Sequence, residues 1–312
     1  MAGSATVFGL DVSADVNLPF LEQAPAAPTG RRLELSVPGP GREPAWPDSA
    51  EVVCDQRELD GGVSFRIEAH PEVGYLIWGP AYGSHLLSAD GGRVLSMPGK
   101  CAEEAWQRLL IAQVLPFAAL LRGLEVFHSS AVVADAGAIA LVGPSRAGKT
   151  SVALELCRRG ASFLTDDVLA LERAGEELLG QPGAPVAGLD HAEARRRARR
   201  GVVEEGEIVA ANAREQLVRM HGAAEPAPLR ALFFIDRRPD GAGGPRFEPV
   251  ADARQLLAAT FNSVLTTPGR LRGLLEVCAL LARGRVERIV AGPEVDAEQL
   301  AAAIERRLGG SA

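Results

Sequence analysis

GPSRAGKTS, residues 143–151, is the stretch on which the reading of this chain turns. A glycine, four residues and then Gly-Lys-Thr is the spelling of a phosphate-binding loop. Gly143 and Gly148 let the backbone curl so that successive N–H groups converge on one anion. Lys149 brings a mobile positive charge for the outer phosphates, and the Thr150 hydroxyl is suited to ligating Mg²⁺. Gly143, Pro144, Ser145, Arg146, Ala147, Gly148, Lys149, Thr150 and Ser151 are therefore the candidate nucleotide-binding set, backed by the N-terminal amides of the helix that follows. Of 33 Lys+Arg residues only Lys100 and Lys149 are lysines, so a lysine inside the loop is not compositional background. A compact ammonium follows a phosphoryl group where a guanidinium fork fits less well. The rival reading is a helix start with incidental glycines, and the flanking strand and helix speak against it.

Working outward, EVFHSSAVV (125–133) and AIALVG (138–143) read as two strands joined by a short turn at Ala134–Gly137. TSVALELCRR (150–159) is a helix that stops at Gly160, and SFL (162–164) is a short strand leading into Thr165-Asp166-Asp167. A strand, a helix and a returning strand make a right-handed crossover with parallel strands, so both strands finish on one edge. Asp166 and Asp167 then emerge beside the phosphate loop, where open α/β sheets bind ligands. Adjacent carboxylates repel, and a Mg²⁺ ion carried with a nucleotide relieves that repulsion. The plainer alternative is a solvated acidic turn. Folding the first strand back on the second sets His128 opposite Pro144, to within one residue of register. An imidazole at the mouth of the loop is a candidate site residue, against the commoner structural role of a lone histidine.

The remainder of the chain supplies the frame. Residues 1–100 read as a small β-rich domain: RLELSV (32–37), GVSFRIEA (62–69) and YLIW (75–78) alternate with Pro, Gly and Asp clusters, and HLLSADGGRVLSM (85–97) is a hairpin. The segments 25–30 and 38–49 are loops rich in proline and glycine. AEEAWQRLLIAQVLPFAALLRG (102–123) has helical period. It opens a second domain, 101–312, which closes with a strand at 230–236, a helix at 270–284, a strand at 286–290 and a last helix capped by Asp296. Strands alternating with helices indicate a layered α/β class.

Composition narrows the partners. A chain of 312 residues, 47% hydrophobic and 23% charged, has the balance of a soluble globular protein. Its net charge of −7 argues against nucleic acid or an anionic membrane as the main ligand. Cys54, Cys101, Cys157 and Cys278 are scattered without metal-ligand spacing, as expected of reduced thiols in the cytoplasm. The N-terminus shows no signal-peptide pattern, and LLIAQVLPFAALL (109–121) is too short to span a bilayer.

The run FHSSAVVADAGAIALVGPSRAGKTSVALELCRRGASFLTDDVLALE (127–172) resembles the catalytic core of the HPr kinase/phosphorylase superfamily, related through its P-loop to the ATP-dependent phosphoenolpyruvate carboxykinases. Three elements carry the resemblance together: a histidine before the hairpin, the P-loop, and an aspartate pair just after the next strand. GLDVSADVNLPF and the closing helices are more loosely similar to the HPr-kinase-like proteins of lasso-peptide gene clusters, which phosphorylate a hydroxyl of a precursor peptide. The resemblance implies an α/β P-loop kinase domain of the HPr kinase/phosphoenolpyruvate carboxykinase type behind a small β-rich domain. It implies that Lys149 and the loop bind ATP, that Thr150 and Asp167 serve Mg²⁺, that Asp166 is the general base and that His128 lies close to the reacting phosphate. The loop reads SRAG where that family commonly has SGxG, so Arg146 stands where a glycine is usual.

The expected activity is Mg-ATP-dependent transfer of the γ-phosphoryl group to a serine-type hydroxyl of a peptide or protein. Transfer to a small-molecule alcohol, a nucleotide-binding sensor without turnover and a carboxykinase are the alternatives. The run HAEARRRARR (191–200) is either a solvated helix face or a clamp for an acidic group.

Overall fold

The computed structural model describes residues 3–22, 24, 28–39, 45–58, 61–199, 206–212, 215–238, 244–250, 254–262 and 264–309. Parts of the two predicted proline- and glycine-rich loops, 25–27 and 40–44, lie outside the described residues, as does Arg200 of the arginine run.

The first eight strands form one sheet in the order Gly3–Val7, Leu10–Ala14, Arg32–Ser36, Arg93–Met97, Gly83–Ser88, Gly74–Gly79, Val63–His70, Glu51–Arg57. Period-two patterning builds it: Leu10, Val12 and Ala14 are buried while Ser13 faces solvent, and Leu33 and Leu35 repeat the pattern next door. The first hairpin turns at Phe8 (φ 53°) and Gly9 (φ 73°), the two positive-φ positions of a tight right-twisting turn. Phe8 is buried, and its N–H donates to the carbonyl of Pro182 at 2.7 Å, which docks the hairpin tip on the second half of the chain.

The helical run Glu103–Leu121 covers this sheet. Trp106, Leu110, Val114, Phe117 and Leu120 share one core with Val7, Leu33, Ile77 and Leu87, and with Val168 and Ala170 beyond the aspartate pair. One turn of the run, Leu110–Val114, is π-helical. Pro116 follows two residues later; it has no N–H to return to the preceding turn, which is a local reason for the ladder to widen there.

The second sheet is mixed. Its main path runs Ser162–Thr165, Ser129–Ala134, Gly137–Val142, Ala227–Arg237, with Arg285–Ala291 parallel to the last and Arg246–Pro249 on the outer edge. The start of Ala227–Arg237 also pairs with Glu177–Gly180, which leads through Leu169–Ala174 to Glu125–Phe127. Alternate residues face opposite layers. Ile139, Leu141, Phe233 and Ile235 pack under helices Lys149–Arg158 and Ala297–Gly309, through Val152, Leu156, Leu300 and Ile304. Ala140, Val142 and Leu232 face helix Pro268–Arg283, through Leu274, Val277 and Leu281. The predicted cap of the last helix is present and reciprocal: Gln299 N–H donates to Asp296, and Asp296 N–H donates to the Gln299 side chain, both at 2.9 Å.

The strand expected over 125–133 is broken at His128. Glu125–Phe127 pairs with Leu169–Ala174, whereas Ser129–Ala134 pairs with Gly137–Val142. The change of partner is explained by backbone bonds that leave the ladder: His128 N–H donates to Ala259 O at 2.9 Å and Ser129 N–H to Asp167 O at 3.1 Å. A small three-stranded sheet, Val186–Asp190, Glu215–Arg219 and Ile208–Ala211, follows the aspartate pair. Among the described residues no helix is long and apolar enough to cross a membrane.

Candidate active site

The loop has the conformation that its glycines permit. Gly148 sits at φ 98°, and a Cβ on Gly143 would stand 2.8 Å from the carbonyl of Ile235. Neither position tolerates a side chain without movement. Arg146, the non-glycine residue at the loop's apex, lies at φ 65° in the left-handed region and is exposed. Ala147 is buried, and its carbonyl accepts from Arg237 Nε at 3.1 Å, while Arg237 Nη1 donates to Gly292 O at 3.1 Å and Val295 O at 2.5 Å. Arg237 thus ties the back of the loop to the segment that follows the next parallel strand. Lys149 donates to the carbonyls of Gly143 at 3.0 Å and Pro144 at 3.3 Å. It therefore lies folded across the loop's first half. Ser151 sits in the first turn of the helix that Lys149 begins.

The two aspartates point apart because Asp167 adopts φ 62°. Asp166 turns inward. One of its oxygens accepts from the Thr150 hydroxyl at 2.8 Å and the Ser130 hydroxyl at 2.5 Å, and the other accepts from Gly188 N–H at 2.9 Å. Burial and the neighbouring Asp167 charge raise its pKa to about 6, against the pull of those three donors. Asp167 turns outward, with 46% of its side chain exposed, and takes an ion pair from Arg108 at 2.9 Å. Arg108 also reaches Glu215 at 3.2 Å. Burial weighs against the Arg108 charge, but the carboxylates of Asp167, Glu215 and Asp166 outweigh it and raise its pKa.

A cavity of about 640 Å³ opens on the first half of the loop. Gly143, Pro144, Ser145, Lys149, His128 and Asp167 supply its reactive wall, and Ala112, Gln113, Phe234, Gln255, Ala258 and Ala259 supply the remainder with Val142 and Val168. The hairpin register, Ser129 opposite Val142, brings His128 level with Gly143, within the one-residue margin of the sequence reading. Its ring stands 5.2 Å from that of Phe261. His128 is open to the cavity, yet protein around it displaces solvent and lowers its pKa; Asp167 opposes that shift and Lys149 adds to it. A neutral imidazole is thereby favoured near pH 7.

The residues fit the groups that the loop implies. The Thr150 hydroxyl and the Asp166 carboxylate offer two hard oxygens side by side, as Mg²⁺ requires when phosphate oxygens complete its shell. Among the described residues no three His, Cys, Asp or Glu side chains gather as a metal cage. The sequence-predicted residues thus divide. Six line the cavity, Thr150 and Asp166 meet beside it, and Arg146, Ala147, Gly148 and Ser151 are not in its wall. Four contributors escaped the sequence reading: Arg108, Ser130, Gly188 and Arg237. Ser130 had a signal in its hydroxyl within an apolar strand, whereas Arg108 comes from a helix whose partner the sequence does not name. On the arginine helix, Arg197 is buried, Arg196 pairs with Glu193 at 2.6 Å, and Arg195 and Arg199 are exposed, with none in the cavity wall.

No protein-family model and no curated protein matches this chain. Among solved structures, the Hpr(Ser) kinase/phosphatase from Coxiella burnetii is 12% identical, with 59% of this chain and 94% of that one covered and a TM-score of 0.30. So slight a likeness fixes neither fold nor activity.

Proposed function

We propose that this chain is a Mg-ATP-dependent phosphotransferase that delivers the γ-phosphoryl group to an alcohol, the hydroxyl of a serine-type residue in a peptide or protein. The observation that carries the reading is the Thr150–Asp166 hydrogen bond of 2.8 Å, beside a cavity that holds Lys149, His128 and Asp167 together. A bare anion-binding loop needs neither His128 nor Asp167.

The loop amides and the start of helix Lys149–Arg158 bind and orient the phosphates. Lys149 exchanges the loop carbonyls for phosphate oxygens and neutralises charge on the transferred group. Thr150 and Asp166 are the residues that would hold Mg²⁺, which would supply charge neutralisation for the phosphates. For the two aspartates we propose the reverse of the sequence-based division. A general base has to reach the acceptor proton first and have a suitable pKa second. Asp167 lines the cavity, while the oxygens of Asp166 are engaged by Thr150, Ser130 and Gly188. Asp167 therefore takes the hydroxyl proton as the acceptor oxygen forms its bond to the γ-phosphorus. The bond from that phosphorus to the bridging oxygen breaks, and ADP leaves with the electron pair. Neutral His128 donates one N–H to the group in flight. Arg108 holds the Asp167 side chain in place through the 2.9 Å ion pair.

Lys149→Ala tests the reading. Calorimetric titration of a non-hydrolysable ATP analogue should show weakened binding with a nearly unchanged melting temperature, because the Lys149 ammonium bonds to the loop carbonyls of Gly143 and Pro144. Unchanged affinity in that variant would remove the phosphate-cradle reading.

A further inference from the structure

Which end of a bound triphosphate the cavity meets follows from the loop residues that line it. Gly143, Pro144, Ser145 and Lys149 are in its wall, while Gly148, Thr150 and Ser151 are not. In loops of this spelling the lysine reaches the outer phosphates, and the hydroxyl residue sits on the metal side. The cavity therefore adjoins the γ-phosphate and is the place from which an acceptor attacks.

Its chemistry is selective. Beyond the reactive wall, Ala112, Val142, Val168, Phe234, Ala258 and Ala259 make an apolar lining. Two uncharged polar side chains interrupt it, and both are amides. Gln255 accepts from Arg288 Nη2 at 2.7 Å through its carbonyl oxygen. Arginine donates and never accepts, so this bond fixes the orientation of the amide and leaves the Gln255 NH₂ as its free end. Gln113 makes no side-chain hydrogen bond among the described residues, and it sits in the π-helical turn Leu110–Val114. Turns of that kind recur where a helix is bent to serve a site.

We infer that this cavity is the acceptor pocket and that it takes an uncharged hydroxyl-bearing group with apolar carbon beside the hydroxyl and a carbonyl or amide for Gln113 and Gln255. The assignment rests on the kinase reading above. With Lys149 committed to phosphate, an anionic acceptor meets the triphosphate and Asp167 with no further lysine or arginine in the lining among the described residues. A volume of about 640 Å³ holds a serine residue with its flanking peptide groups, or a compact free alcohol of the same chemistry. These are two sources of one ligand type.

The test uses the full chain with Mg·ATP and four probes: N-acetylserine methylamide, a serine-containing hexapeptide, 1,2-propanediol and glycerate. Phosphorylation of the neutral probes over glycerate is expected. The hexapeptide exceeding N-acetylserine methylamide would identify a peptide source, and 1,2-propanediol exceeding both would identify a free alcohol. Gln113→Ala and Gln255→Ala should each raise the acceptor KM about tenfold, the loss of one well-formed hydrogen bond in a confined site. Ala258→Leu, at an exposed position facing the cavity, should raise it further without threatening the fold. In all three variants the Kd of the ATP analogue should stay within about twofold. Preference for glycerate, transfer to none of the neutral probes, or unaltered KM in the three variants would overturn the pocket assignment while leaving nucleotide binding intact. Failure of the unaltered protein to bind the ATP analogue would instead remove the kinase reading, and this assignment with it.

Discussion

The hydroxyl of Thr150 and the carboxylate of Asp166 are joined across 2.8 Å, while Asp167, the next residue, faces away from both. Two adjacent carboxylates thereby acquire different surroundings: one ringed by donors, one open to the cavity.

That difference predicts separable variants. Asp166→Asn should shift the Mg²⁺ dependence of ATP-analogue binding to higher concentration, because an amide oxygen is a poorer ligand for a hard cation. Asp167→Asn should bind the Mg-bound analogue nearly as before and lose about 10²–10⁴ in kcat, the usual contribution of a general base. A Mg²⁺ titration followed by single-turnover kinetics separates them. Identical behaviour of the two variants, or the opposite assignment of effects, would overturn the division proposed above.

Arg108 stands between Asp167 at 2.9 Å and Glu215 at 3.2 Å. Arg108→Gln leaves two carboxylates facing one another with no cation, and we expect a loss of about 1–3 kcal/mol in unfolding free energy together with lower kcat. Adding Glu215→Gln should recover part of the stability and little of the activity. Urea denaturation of the two variants, with kinetics alongside, reads both effects. Full recovery of kcat in the double variant would mean that Arg108 acts on the fold alone.

Glu125 predicts a pH dependence of stability that involves none of the catalytic groups. It is 3% exposed, one of its oxygens has no hydrogen-bond partner, and burial raises its pKa to about 7 despite the Arg270 guanidinium at 2.8 Å. A carboxyl whose folded pKa lies above its unfolded value of 4.5 binds more protons in the folded state, so its contribution to stability falls as pH rises from 4.5 to about 7. Asp166 titrates in the same sense up to about 6. Glu125→Gln should flatten the decline in melting temperature across pH 6–7, where Asp166 has largely finished titrating. A slope unchanged by the substitution would show that Glu125 is ionised throughout.

Arg146 holds φ 65°, where a side chain is strained and glycine is not. Arg146→Gly should therefore stabilise the protein by about 0.5–1 kcal/mol, the strain released outweighing the added freedom of the unfolded chain. Arg146→Ala, which keeps the Cβ, should not. Thermal unfolding of both variants distinguishes backbone strain from loss of the arginine charge, which would affect the two equally.

What the sequence by itself determined is local in origin. The phosphate loop, the helix after it, the hairpin register of His128 and the reciprocal cap at Asp296 all depend on residues within a few positions of one another, where glycine conformations, strand period and capping chemistry suffice. The eight strands before residue 100 were legible in part for the same reason, through the alternation of apolar and polar residues. The break at His128 was not, because it depends on an acceptor at Ala259 that is remote in sequence. Nor was the environment of the aspartate pair. Arg108 reaches Asp167 from 59 residues away and Gly188 reaches Asp166 from 22 residues away, through elements whose own patterns carry no mark of their destination. Tertiary packing alone decided which carboxylate would be enclosed and which would face the cavity, since burial and the positions of donors are properties of the assembled fold.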